Sequence, residues 1–134
     1  MNKPINILLI DDNHRSQDLF GFALNDLDIN YCCRFAKSIN QAFNMLRLQP
    51  ADYIFIDINM PTLNGFSTLK KLVTTQFIKM SSIVIYSEQL ENALCKKAMQ
   101  LGIRAGLQKK TEVFQLIQDL KKILFNNDKQ SDDH

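Results

Sequence analysis

A chain of 134 residues has room for one ordinary domain, and 46% apolar residues supply a sizeable core. Wholesale disorder is excluded, and no apolar run approaches the ~18 residues of a membrane-spanning helix. The net charge of +2 is mild, and no aromatics interleave with the lysine pairs at 70–71, 96–97, 109–110 and 121–122. Three of those pairs fall on predicted helices and read as solvated faces.

The chain opens on a short lead, residues 1–4, that runs into the first apolar stretch, Ile5–Ile10. Two acids follow at once, so there is no signal-peptide cleavage pattern and the expected location is cytoplasmic. Further continuous runs at Tyr53–Ile56 and 83–86, with weaker ones at 31–35 and 103–107, complete five predicted strands. The strong runs do not alternate polar with apolar, which suits strands buried on both faces of a parallel sheet.

Segments of helical period lie between them. The first carries Leu19, Phe20, Ala23, Leu24 and Leu27 on one stripe. The second opens on Ser38-x-x-Gln41, a capping-box pattern, turns Ala42, Phe43 and Leu46 inward, and is stopped by Pro50. Phe66, Leu69, Leu72 and Val73 mark the third. Leu90, Leu94, Ala98 and Leu101 mark the fourth, with Gly102 at the left-handed position past its end. The fifth takes Thr111 as its N-cap and runs through Val113, Leu116, Ile117, Leu120, Ile123 and Leu124. Five strands alternating with five helices predict an α/β chain, (βα)5, doubly wound by right-handed crossovers. The domain spans 5–126, and 127–134 is a polar tail. Cys32, Cys33 and Cys95, an odd count with two adjacent, read as free thiols in a reducing compartment.

Ligand sites in such sheets lie outside the carboxyl ends of the strands. Asp11-Asp12 follow strand one, Asp57 follows strand three, Ser87 ends strand four and Lys109 ends strand five. Three carboxylates at one edge cannot all stay ionised unless a cation offsets them. A hard divalent ion held by carboxylates, a carbonyl and waters is the usual solution, which describes Mg²⁺. One carboxylate can then act as nucleophile toward a phosphoryl group. Lys109 and Ser87 supply the cation and the hydrogen-bond donor that the new anion needs. Taken singly, each residue has a plain structural reading, as helix cap, turn residue or solvated lysine; their joint order decides for the site. His14 reads as a surface residue beside it.

The chain resembles the response-regulator receiver domains of two-component signalling. The resemblance rests on Asp11-Asp12 after Ile7-Leu8-Leu9-Ile10, and on Ile56-Asp57-Ile58-Asn59-Met60-Pro61 with Asn64-Gly65-Phe66. Ile83-Val84-Ile85-Tyr86-Ser87, Gly102 and Lys109 extend it over roughly 5–125. It implies a flavodoxin-like five-stranded parallel sheet in the order 2-1-3-4-5. It implies Asp57 as phosphoacceptor, and Asp12, Asp57 and the backbone carbonyl of Asn59 as Mg²⁺ ligands, with Asp11 acting mostly through water. Lys109 would pair with the phosphoryl oxygens, and Ser87 would swing toward them. The implied donor is a histidine kinase or a histidine phosphotransfer protein, and the implied output is docking on another protein. No contact with nucleic acid, no membrane insertion and no metabolite turnover are expected.

Three departures from the family pattern stand out. Glu88 replaces the usual small residue after the strand-four hydroxyl, where a carboxylate crowds an incoming phosphoryl group unless it points to solvent. Gly106 occupies the place of the usual switch aromatic, so the readout is expected to run through Ser87 and the loop after it. Lys110 replaces a Pro that commonly follows a cis bond, and adds a second cation expected near the pocket. The expectation is a stand-alone receiver with no output module. One rival is a receiver-like adaptor that binds partners without phosphorylation. Another is a small enzyme or flavin carrier, against which Asp11-Asp12-Asn13-His14 stands where a phosphate-cradling loop wants glycines. A dehalogenase-like phosphatase wants a second acid two residues past its nucleophile, and Asn59 is there instead.

Overall fold

The computed structural model describes residues 3–60, 65–76, 78, 83–110 and 112–125. Strands and helices alternate: β1 (Ile5–Ile10), α1 (His14–Asn25), β2 (Tyr31–Ala36), α2 (Ile39–Leu48) and β3 (Tyr53–Ile56). Then come α3 (Gly65–Val73), β4 (Ile83–Ser87), α4 (Asn92–Gln100), β5 (Ala105–Gln108) and α5 (Val113–Phe125). All strand pairs are parallel, in the order β2-β1-β3-β4-β5. This is the flavodoxin-like α/β sheet.

Every residue of β3 and β4 is buried, which explains their unbroken apolar runs: side chains leave both faces of an inner strand and meet helices on each. Leu8, Ile10, Ile54, Ile56, Ile83 and Ile85 pack under α2, α3 and α4. Ile7, Leu9, Phe55, Val84 and Tyr86 pack under α1 and α5. Each such side chain contributes about 1.5–3 kcal/mol on burial. Phe20 of α1 meets Phe55 edge-on at a centroid separation of 5.0 Å and Tyr86 at 5.5 Å.

The helix signals hold with adjustments at the ends. Ser38 caps α2, its Oγ accepting from Gln41 N at 3.1 Å, but the Gln41 side chain returns to the amide of Lys37, not of Ser38. Gly102 has φ 94°, the left-handed conformation expected past α4. Helix α4 begins only at Asn92, so Leu90 belongs to the loop before it. Strand β5 lies two residues later than its apolar run, because Ile103 is buried ahead of the ladder. Cys32 and Cys33 sit in β2, and all three thiols are free. Pro61, Asn64, Thr111 and the tail lie outside the described residues.

Candidate functional site at the carboxyl edge of the sheet

Strand register brings the functional residues together. Ile10 pairs with both Ala36 and Ile56, Ile56 with Ile85, and Ser87 with Gln108. The ladder then runs one bond further. Asp11 N donates to Ala36 O at 2.9 Å, Asp57 N to Ile10 O at 2.9 Å, and Lys109 N to Ser87 O at 2.8 Å. Each functional side chain therefore leaves the last tethered backbone position of its strand.

Lys109 is the centre of the arrangement. Its Nζ lies 2.7 Å from Asp11 Oδ2, 3.0 Å from Asp57 Oδ2 and 3.1 Å from Ser16 Oγ, so three oxygens meet the three hydrogens of one ammonium. The Tyr86 ring lies beneath it, 5.4 Å from Nζ to the centroid. Burial disfavours the ammonium, but its contacts with Asp11 and Asp57 outweigh that and hold its pKa above the ordinary lysine value. Burial pushes Asp11 up, and Lys109 and the Asn13 amide offset only part of this. Tyr86 is pushed up by burial, then by Asp11 and Asp57, so its phenol stays neutral.

Asp11 is fully buried, while Asp57 retains 8% exposure, enough to open onto solvent at the edge. Neither residue of the Asp pair caps α1. Asn13 does, its Oδ1 accepting from Ser16 N at 2.9 Å, while its own amide donates to Asp11 Oδ1 at 2.9 Å. Asn59 N donates to Asp57 Oδ1 at 2.9 Å, and Asn59 Nδ2 donates to Ser87 Oγ. Asp57, Asn59 and Ser87 thus form one hydrogen-bonded chain from β3 to β4.

Not every expected residue joins. Asp12 is exposed, as is His14, which the sequence already placed at the surface, and among the described residues no three acidic, histidine or cysteine side chains group closely enough to hold an ion. Lys110 is a correction: it does not face the pocket, but reaches back to Gln108 O at 3.4 Å and Asp119 Oδ2 of α5 at 3.8 Å. Glu88 points to solvent, and its backbone carbonyl accepts from Gln108 Nε2 at 3.1 Å. A Cβ on Gly106 would stand 3.1 Å from Leu90 Cδ2 and 3.4 Å from Cys95 Sγ. The space beside Gly106 is therefore held by an aliphatic side chain of the β4–α4 loop.

Ser16 and Gln17 escaped the sequence reading. Gln17 Nε2 donates to Asp11 O at 2.8 Å from a buried position. Its signal was present: Gln17, Phe20 and Leu24 share one helical stripe, so a polar residue there faces inward. Nothing in the sequence marks Ser16 as the third oxygen on Lys109. The donor set itself fits a hard divalent cation. Asp11 and Asp57 supply two carboxylates against the one ammonium that contacts them, and each carboxylate oxygen engaged here retains a second lone pair, while exposed Asp12 stands apart from that pair.

A family model described as a response regulator receiver domain matches residues 7–121. The chain belongs to the response-regulator receiver family. The receiver is 30% identical over 107 residues to a Rhizobium etli protein named "Probable chemotaxis protein CheY", covering 80% of this chain and 82% of that one. Among solved structures, the Mn²⁺-bound form of the response regulator Rcp1 superposes with a TM-score of 0.78 at 18% identity, covering 92% and 96% of the two chains. The chemotaxis response regulator CheY4 of Vibrio cholerae gives 0.76 at 20% identity, covering 91% and 100%. The two solved structures share the fold described above. Receiver domains are signalling domains of two-component systems, and among the described residues of this one no helix is long and apolar enough to cross a membrane.

Proposed function

We propose that this receiver accepts a phosphoryl group on Asp57 and signals by altered docking on another protein. The observation that carries the reading is Lys109 Nζ held between Asp11 and Asp57 at 2.7 and 3.0 Å. That ammonium lies against the Asp57 carboxylate, the nucleophile of this reading, and stands ready to pair with phosphoryl oxygens. In the transfer, a carboxylate oxygen of Asp57 attacks phosphorus of a phosphohistidine on a histidine kinase or histidine phosphotransfer protein. The P–N bond breaks, the imidazole leaves with the electron pair, and an acyl phosphate remains. Water later cleaves it to carboxylate and inorganic phosphate. Mg²⁺ on Asp12, Asp57 and the Asn59 carbonyl, with Asp11 acting through water, would neutralise the incoming phosphoryl charge. The setting is the cytoplasm, where the three free thiols are at home.

The readout follows from the chain Asp57–Asn59–Ser87. Phosphoryl oxygens are stronger acceptors than anything Ser87 meets before the transfer, so the hydroxyl turns to them and leaves Asn59. Ser87 ends β4, and the loop after it carries Leu90 against Gly106 and Cys95. Movement of Ser87 is thus passed to an aliphatic contact on β5 and α4, with no aromatic rotamer involved. Of the three departures that favour an unphosphorylated adaptor, Glu88 and Lys110 lose their force, since Glu88 points to solvent and Lys110 pairs with α5, while Gly106 remains.

Incubation with Mg²⁺ and a small acyl phosphate, followed by intact-mass measurement, tests the reading. A single phosphoryl adduct on wild type, absent in Asp57→Asn and after chelation, is expected. No adduct on wild type at saturating donor across a Mg²⁺ titration would overturn it in favour of the adaptor.

A further inference from the structure

The three helices on one side of the sheet share a charge pattern that phosphorylation does not use. Helices α2, α3 and α4 contain no Asp or Glu, yet carry Arg47, Lys70, Lys71, Lys96 and Lys97, all exposed. Helices α1 and α5 on the other side carry Asp18 and Asp119 beside their cations. Cations in a last helical turn complement the macrodipole, and this accounts for part of the pattern. No helix carries an acid in its first turn, so the two faces differ through Asp18 and Asp119 within α1 and α5.

Aromatic rings lie beside three of these five cations. Lys71 Nζ of α3 lies 5.5 Å from the centroid of Phe43 on α2. Lys70 Nζ and Lys97 Nζ, from α3 and α4, lie 5.9 and 5.6 Å from the centroid of a single ring, Phe66. Two cations converge on one half-buried ring, a local concentration of positive charge that a carboxylate from outside would offset. The last turns of α2 and α4 also expose Leu48 by 87% and Met99 by 51%. The face is cationic and apolar at once.

We propose that the α2–α3–α4 face docks an acidic segment of a partner protein, one that carries apolar residues among its carboxylates. Its carboxylates meet Lys70, Lys71 and Lys97, and its apolar side chains meet the exposed aliphatics beside them. A uniformly charged nucleic-acid backbone fits less well. The helices run back from the edge that holds Asp11, Asp12, Asp57, Glu88 and Glu91, so the cationic zone is short and bounded by acids at its far end. The proposal stands on charge and geometry independent of Asp57 chemistry.

The test is a titration of isotope-labelled protein with a synthetic helix-forming peptide of glutamate and leucine, followed through backbone amide shifts. Parallel titrations use the lysine-for-glutamate counterpart and a short DNA duplex. Saturable shifts confined to α2, α3 and α4 are expected. Lys70→Glu with Lys97→Glu should weaken binding about tenfold or more. Lys121→Glu with Lys122→Glu on α5 makes the same change in net charge and should leave it unaltered. Thermal melts of both double variants show that each is folded. Equal loss in the two variants, shifts spread over α1 and α5, or equal or tighter binding of the duplex would each overturn the proposal.

Discussion

Leu90 and Gly106 occupy one place between them: Leu90 Cδ2 stands 3.1 Å from the point where a Cβ on Gly106 would sit. Leu90 comes from the loop after β4 and Gly106 from the middle of edge strand β5. Glycine at that position is what allows the loop to lie against the strand. A phenylalanine there must displace Leu90. Gly106→Phe is expected to destabilise the protein by about 1–3 kcal/mol through overpacking. In a Leu90→Ala background the same change should cost less or stabilise. Urea unfolding of the four proteins in a double-mutant cycle measures the coupling, and additive effects would mean that the two residues do not compete for space.

Cys95 reports on the same contact from the other side, with Sγ 3.4 Å from the Gly106 Cβ position and half-buried. If phosphorylation draws Ser87 away from Asn59, Leu90 withdraws and the thiol opens. The alkylation rate of Cys95, followed by peptide mapping, should rise with Mg²⁺ and acyl phosphate. It should not rise in Asp57→Asn or Ser87→Ala. An unchanged rate on protein shown by mass to be phosphorylated would remove this route of readout while leaving the phosphorylation intact.

Lys109 is placed to support stability, because Asp11 is fully buried against it. Lys109→Ala should cost about 3 kcal/mol at neutral pH by leaving buried carboxylates without their cation. Adding Asp11→Asn should restore most of the loss, since the neutral amide needs no counter-charge. Denaturant unfolding of the two variants checks both statements. Failure of the second change to restore stability would place the cost elsewhere.

The thiols give a pH-dependent check on β2. Burial pushes Cys33 up to about 12 from an ordinary 9.0, with the neighbouring Cys32 adding to the shift. Its thiolate fraction near pH 8 should therefore fall about a thousandfold below that of an unperturbed thiol. Alkylation at that pH should mark exposed Cys32 well before Cys33. The raised pKa also fixes the sign of the linkage. Its stabilising contribution is fully present below pH 9.0 and is lost as pH rises toward about 12, where the unfolded chain ionises first. Cys33→Ala should flatten that part of the alkaline stability profile.

The architecture was legible from sequence because its signals are local. Unbroken apolar runs such as Tyr53–Ile56 arise only where both faces of a strand are covered. Ser38 and Gly102 mark helix ends through short-range hydrogen bonding and backbone sterics. Asp11, Asp57, Ser87 and Lys109 could be grouped because parallel strands bring all their carboxyl ends to one edge. Less legible were the ends of weakly apolar elements: β5 is an edge strand that buries only Leu107, and α4 buries only Ala98.

By itself, then, the sequence determined the alternating strands and helices, the parallel sheet and which residues reach its carboxyl edge, since each follows from periodicity and strand direction. Tertiary structure alone decided how those residues are used. It placed Asp11 and Asp57 on one ammonium, added Ser16 as a third oxygen, turned Lys110 to Asp119 and set Leu90 over Gly106. Ser16 and Lys109 are far apart in sequence and meet only because α1 and β5 converge on one edge. No local pattern records which way a long side chain turns once it arrives there.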